Sequence, residues 1–89
     1  MNSAVPEPKI IDLSKQLKDE IMRILNNAFE TAKSEKAMAE YIRSRLEEKD
    51  EGKWNVILGK DFGTHVSHKS GKYGLFQMGE LNVLLWQTG

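Results

Sequence analysis

An α+β fold is predicted, with two N-terminal helices packed on an antiparallel β-sheet and two such sheets face to face in a homodimer. Three observations lead there. Residues 1–52 hold nine basic and eleven acidic residues but only one glycine, Gly52, whereas residues 53–89 hold four basic residues, two acidic ones and six glycines. Charge-rich, glycine-free sequence reads as helix, and glycine-punctuated aromatic sequence as strand and turn. The connections between the strand candidates are too short for parallel crossovers, so pairing should be antiparallel. Finally, the closing segments are apolar on both faces, which two helices cannot cover.

The elements follow in chain order. Pro6 and Pro8 limit residues 1–13 to an extended arm or an edge strand, anchored by Ile10, Ile11 and Leu13; residues 14–89 form one domain. Ser14 suits an N-cap, and Asp19 and Glu20 come early enough to suit the positive end of the first helix. Leu17, Ile21, Ile24, Leu25, Ala28 and Ala32 recur at three- and four-residue steps as one apolar stripe. Ser34 can cap a second helix with Met38, Tyr41, Ile42 and Leu46 on its stripe, and with Lys36, Glu40, Arg43 and Glu47 largely off it. Residues 47–52 read as a solvated helix end and turn. Four strand candidates remain: Lys53 to Leu58, Asp61 to Ser67, Lys72 to Met78 and Leu81 to Gln87.

Composition removes several classes of function. Thirteen basic residues balance thirteen acidic ones, which argues against binding nucleic acid through a dense phosphate footprint. The absence of cysteine excludes a disulfide scaffold, a thiolate metal site and a cysteine nucleophile, and it fits a reducing compartment. No stretch approaches the ~20 apolar residues of a membrane span, so a soluble intracellular protein without direct membrane insertion is expected. A chain of 89 residues makes one domain that buries only roughly 60–65% of its unfolded surface, and oligomerisation is the remedy left open to it.

The last strand is the informative one. Leu81, Val83, Leu84, Leu85 and Trp86 place apolar groups on both faces, as do Val56, Ile57 and Leu58. A sheet with one wet face should alternate. Burial stabilises by ~25 cal/mol per Å² of apolar surface, and a symmetric copy with the same bare face is the simplest cover.

Trp54, Ile57, Gly59, Phe62, Gly63, Val66, His68, Phe76, Gly79, Leu84, Leu85 and Gly89, with Glu35-Lys36 opening the second helix, form a spaced pattern. In it the chain resembles the small dimeric cytoplasmic dynein light chains, without gaps over nearly its whole length. The resemblance implies a strand-exchanged homodimer in which the strand from about Phe62 to Ser67 crosses to complete the partner's sheet. Its open edge would take extended, disordered peptide segments of partner proteins, such as a dynein intermediate chain, in two symmetric grooves. The implied peptide-binding residues are Glu35, Lys36, Asp61, Phe62, Gly63, Thr64, His65, Val66, Ser67, His68, Tyr73, Leu75 and Gln77. The implied dimer interface holds Asn55, Ile57, Thr64, His65, Val66, Ser67 and Thr88. The implied setting is cytoplasmic and cytoskeleton-associated, with no cofactor, no metal and no catalysis. The chain departs from the family at Leu75 and Gln77, usually aromatic, at His65, commonly tyrosine, and at Asn55, which replaces an interface histidine. His65 is therefore either an acid-sensitive seam residue that weakens the dimer near pH 5–6 or a surface histidine with no role.

Other chemistry suggested by residue type fails on spacing. Asp61-Phe62-Gly63 spells a kinase metal triplet without the rest of a kinase. His65 and His68, three apart on a strand, would point to opposite faces and chelate poorly; the resemblance implies a satisfied buried role for His68 instead. Asp61, Ser67 and His68 are triad residues by type only. Gly71, Gly74 and Gly79 lack the strand-to-helix setting of a phosphate loop. Lys60, Lys69 and Lys72 protect sheet edges, and Tyr73, Phe76 and Trp86 serve as core or groove aromatics. Two readings remain open: a dimeric peptide-binding hub of the motor, and a divergent structural dimer working elsewhere, for example in a cortical or membrane-associated layer.

Overall fold

The computed structural model describes residues 5–60 and 66–88. Its elements are β1 (Glu7–Leu13), α1 (Lys15–Thr31), α2 (Glu35–Lys49), β2 (Trp54–Gly59), β3 (Lys72–Met78) and β4 (Leu81–Gln87). Among the described residues the strands form one antiparallel sheet in the order β1-β3-β4-β2.

Both helices start where a serine can satisfy an orphan N–H. Ser14 Oγ accepts from the Leu17 N–H at 3.1 Å and Ser34 Oγ from the Ala37 N–H at 3.0 Å. The predicted stripes face the core: Ile21, Ile24, Leu25 and Ala28 of α1 and Met38, Ile42 and Leu46 of α2 are buried, and Leu17, Ala32 and Tyr41 pack partly buried against them. The dipole expectation for α1 fails, because its first turn contains no acidic residue. Asp19 lies one turn further in and pairs instead with Lys15 at 3.0 Å.

The candidate strand over Asp61–Ser67 lies outside the described residues except for Val66 and Ser67, which belong to no strand. The fourth strand of the sheet is β1, which runs antiparallel to β3 with a register shift between Pro8 and Ile10. Pro8 lacks an N–H for the ladder, and a shift at an edge strand accommodates that. The β3–β4 hairpin turns at Gly79, whose φ of +64° suits the first central position of a two-residue turn.

Register assigns the faces. Trp54, Val56 and Leu58 of β2, Val83 and Leu85 of β4, and Phe76 and Met78 of β3 face the helices and join the core cluster. The opposite face carries Asn55 and Ile57, Asn82, Leu84 and Trp86, Tyr73, Leu75 and Gln77, and Ile10 and Asp12. Among the described residues no helix covers this second face, as expected, yet it is less bare than expected. Leu84 is 0% exposed and Tyr73 only 6%, so the open apolar surface narrows to Ile10 at 51%, Ile57 at 42% and the part-buried Leu75 and Trp86.

Candidate functional site: the groove along the second strand

The sheet ends at β2, whose only strand neighbour among the described residues is β4. Beside it runs a groove of about 450 Å³, lined by Lys36, Ala39, Glu40 and Arg43 of α2, by Trp54, Asn55, Val56 and Ile57 of β2, and by Trp86. Consecutive residues of a strand point to opposite faces, yet four in a row line this groove. The groove therefore follows the strand's lateral edge, where main-chain groups are exposed, and not either face.

The Trp54 N–H donates to Glu47 Oε2 at 2.9 Å, away from β4, and Gln87 O accepts from the Lys69 N–H at 2.8 Å, away from β2. In an antiparallel ladder the backbone groups of residues two apart point the same way. Val56 and Leu58 therefore turn their N–H and C=O groups outward to the groove, while Asn55, Ile57 and Gly59 bond to β4. A row of outward amide groups on an edge strand is a template for another strand.

Side chains at both ends of the edge are held in place. Asn55 Nδ2 donates to Thr88 Oγ1 at 3.0 Å and to Trp86 O at 3.4 Å, which ties the predicted interface residues Asn55 and Thr88 together next to Ile57. Asn82 Nδ2 donates to Lys60 O at 3.0 Å and steadies the exit of β2. Trp54 is buried in the groove wall, and its indole N–H has no hydrogen-bond partner among the described residues.

The structure gathers some of the expected site residues and separates others. Glu35 and Lys36 open α2, and Lys36 lines the groove. Tyr73, Leu75 and Gln77 lie on the far face of β3, separated from β2 by β4, so within one chain they do not meet Lys36. Val66 and Ser67 are half-buried and exposed respectively; Asp61, Phe62, Gly63, Thr64 and His65 lie outside the described residues. His68 is not fully buried as expected: its side chain keeps 26% exposure. Its Nδ1 is 3.0 Å from Lys69 O and 3.9 Å from Asp12 Oδ2, and its ring lies 4.6 Å from that of Tyr73. Asp12 also accepts from the Gly71 N–H at 3.0 Å, so this cluster pins the segment leading into β3 against β1. Sequence reasoning missed Ala39, Glu40 and Arg43 as groove residues, because positions off an apolar stripe, charged ones above all, read as solvated. The available signal was their helical spacing from Lys36.

Among the described residues no group of three or more histidine, aspartate or glutamate side chains could hold a metal ion, and no helix is long and apolar enough to cross a membrane.

A family model described as "Dynein light chain type 1" matches residues 6–88. The chain belongs to the dynein light chain family. Dynein light chains are non-catalytic, so this chain is not an enzyme. "Dynein light chain 1, cytoplasmic" of Kluyveromyces lactis is 36% identical over 93% of this chain and 95% of its own length. The protein of the same description in Debaryomyces hansenii is 33% identical across the whole of both chains, and that of Saccharomyces cerevisiae is 32% identical over 98% of this chain and 95% of its own. The fold is shared with the dynein light chain-like domain of the Fasciola hepatica calcium-binding protein FhCaBP2, at a TM-score of 0.84 and 19% identity over 99% of this chain and 95% of that one. It is also shared with the corresponding domain of CsTAL3, at a TM-score of 0.73 and 18% identity over 93% and 92% of the two chains.

Proposed function

We propose that this dynein light chain family member is a cytoplasmic, cytoskeleton-associated dimeric hub that binds extended segments of partner proteins by strand addition. The observation that carries the reading is the open edge of β2, with the backbone of Val56 and Leu58 turned into a groove. Added strands gain affinity from main-chain hydrogen bonds, and the alternating side chains set selectivity.

Strand exchange supplies the second half of the arrangement. In this reading the strand expected from about Phe62 to Ser67 of one copy adds to the open edge of β2 of the other and offers its own far edge to the partner segment, and the two far faces pack together. Ile57, Trp86 and Leu75 would then be covered, and Asn55 and Thr88 would stand at the seam. The exchange also brings Tyr73, Leu75 and Gln77 of one copy toward the groove of its partner, which their separation within a single chain otherwise forbids. Two grooves per dimer give avidity, because the second groove meets a strand already tethered by the first. Disordered segments such as that of a dynein intermediate chain are suitable occupants.

Isothermal titration with short extended peptides, one of them centred on Thr-Gln-Thr, tests the proposal. The expected result is micromolar binding at two sites per dimer that is lost when alternate peptide nitrogens are methylated. Binding that survives methylation would rule out strand addition, and no binding by any peptide would leave a structural dimer working outside the motor.

A further inference from the structure

The outward row of backbone groups on β2 is shorter than the strand. By the alternation that turns Val56 and Leu58 outward, Trp54 on one side and Lys60, just past the strand's end, continue the same row. Side chains of the chain itself engage both. Glu47 Oε2, near the end of α2, accepts from the Trp54 N–H at 2.9 Å. At the other end Asn82 Nδ2, on β4, donates to Lys60 O at 3.0 Å. Neither contact is between near neighbours: Glu47 and Trp54 are 7 residues apart, and Lys60 and Asn82 are 22 apart. Among the described residues of the row, Val56 and Leu58 alone keep both backbone groups for an added strand.

Side-chain alternation penalises a slip of one residue, because every side chain then turns to the other face, but a slip of two leaves each on its own face. We propose that Glu47 and Asn82 are register stops, which hold the strand added to β2 opposite Val56 and Leu58 and so fix how the second copy is seated. This rests on the strand-exchange reading above and names its positioning residues. A strand slipped toward Trp54 finds that N–H already given to Glu47. Its own carbonyl oxygen then meets the Glu47 carboxylate, an acceptor facing an acceptor with no proton between them. A strand slipped toward Lys60 finds that carbonyl turned to Asn82, and leaves an N–H of its own without an acceptor. The central register meets neither obstacle.

The chain has no cysteine, so disulfide cross-linking reads the register directly. Chains carrying Val56→Cys are mixed with chains carrying a cysteine at one of residues 62 to 67 and oxidised, and the mixed product is measured by mass spectrometry. Residues paired across neighbouring strands lie ~5.5 Å apart at Cα, within disulfide reach, and a residue two places along lies beyond it. One position should carry nearly all of the product when Glu47 and Asn82 are intact. Glu47→Ala should add a product two residues to one side, and Asn82→Ala a product two residues to the other. Glu47→Gln, whose side-chain oxygen can still accept from Trp54, should keep the single position. Each alanine variant has its own direction, so if one fails to fold the other decides. An unchanged position in both, or added products on the same side, overturns the register stops and leaves strand exchange intact. Product spread over several positions with both residues intact overturns them too, and no product at any position overturns strand exchange and the stops with it.

Discussion

Gly52 joins the end of α2 to the start of β2 with a φ of +112°, a conformation that residues with a Cβ rarely adopt. A Cβ built there would fall 2.5 Å from Gln87 Nε2. That amide is committed: it donates to Asp50 Oδ2 at 3.3 Å and to Glu51 O at 2.6 Å, and Gln87 is buried. Asp50 in turn accepts from Lys72 Nζ on both carboxylate oxygens at 2.9 Å. One glycine thus allows a polar cluster to fasten the C-terminal end of α2 to β3 and β4. Gly52→Ala should destabilise the fold by about 1–3 kcal/mol through backbone strain and displacement of Gln87. Urea denaturation checks it, and a midpoint unchanged from wild type would show that the turn relaxes without cost. Nothing in the local sequence announces this cluster, since Asp50 and Gly52 read as a turn, Lys72 as edge protection and Gln87 as the end of a strand.

At the scale of elements, the helices were legible because burial follows a period that residues themselves display. Both serine caps and both apolar stripes stand where spacing puts them. The dipole placement fails on the cap's own count: from Ser14, Asp19 is the fifth helical residue, past the first turn where the unpaired N–H groups lie. Its position has a titration consequence. The hydrogen bond from the Lys15 ammonium, helped by the nearby charges of Lys15, Lys18 and Arg23, holds the Asp19 carboxyl below its ordinary value. A depressed folded-state pKa stabilises α1 above the unfolded carboxylate value of about 3.9 and loses that contribution as the pH falls through the depressed one. In an NMR titration Asp19 should reach its midpoint at lower pH in wild type than in Lys15→Ala, and coincident midpoints would refute the pairing in solution. Strand β1 illustrates the opposite difficulty. Pro6 and Pro8 allow an arm as readily as an edge strand, and the choice is made by β3, which offers a ladder to Glu7–Leu13.

For the whole molecule, the decisive feature is a sheet with helices on one face and an uncovered strip on the other. The apolar strip is smaller than the pattern of Leu81–Gln87 implies, because Leu84 is already buried within a single chain. Ile57 becomes the critical residue: it stands on the far face, beside the open edge, and is 42% exposed. Ile57→Lys should shift the dimer proposed here toward monomer, because a charge buried at a seam without a partner costs several kcal/mol in binding, about 2 or more. Sedimentation equilibrium at micromolar concentration checks this, with circular dichroism confirming that the helices persist. A variant that sediments like wild type would move the seam away from β2.

The apolar periods, the serine caps and the glycines between short segments were enough to set two helices against an antiparallel sheet, because each depends on neighbours within a turn or a hairpin. The spaced pattern from Trp54 onward was enough to point to the family. The groove was decided only in three dimensions. Its walls come from α2, β2 and Trp86, its amide ladder exists because β2 lands at the end of the sheet, and Glu40 and Arg43 join it because the helix lies alongside that edge. Such a site depends on which segments become neighbours, and contacts between distant parts of a chain leave no period in the order of its residues.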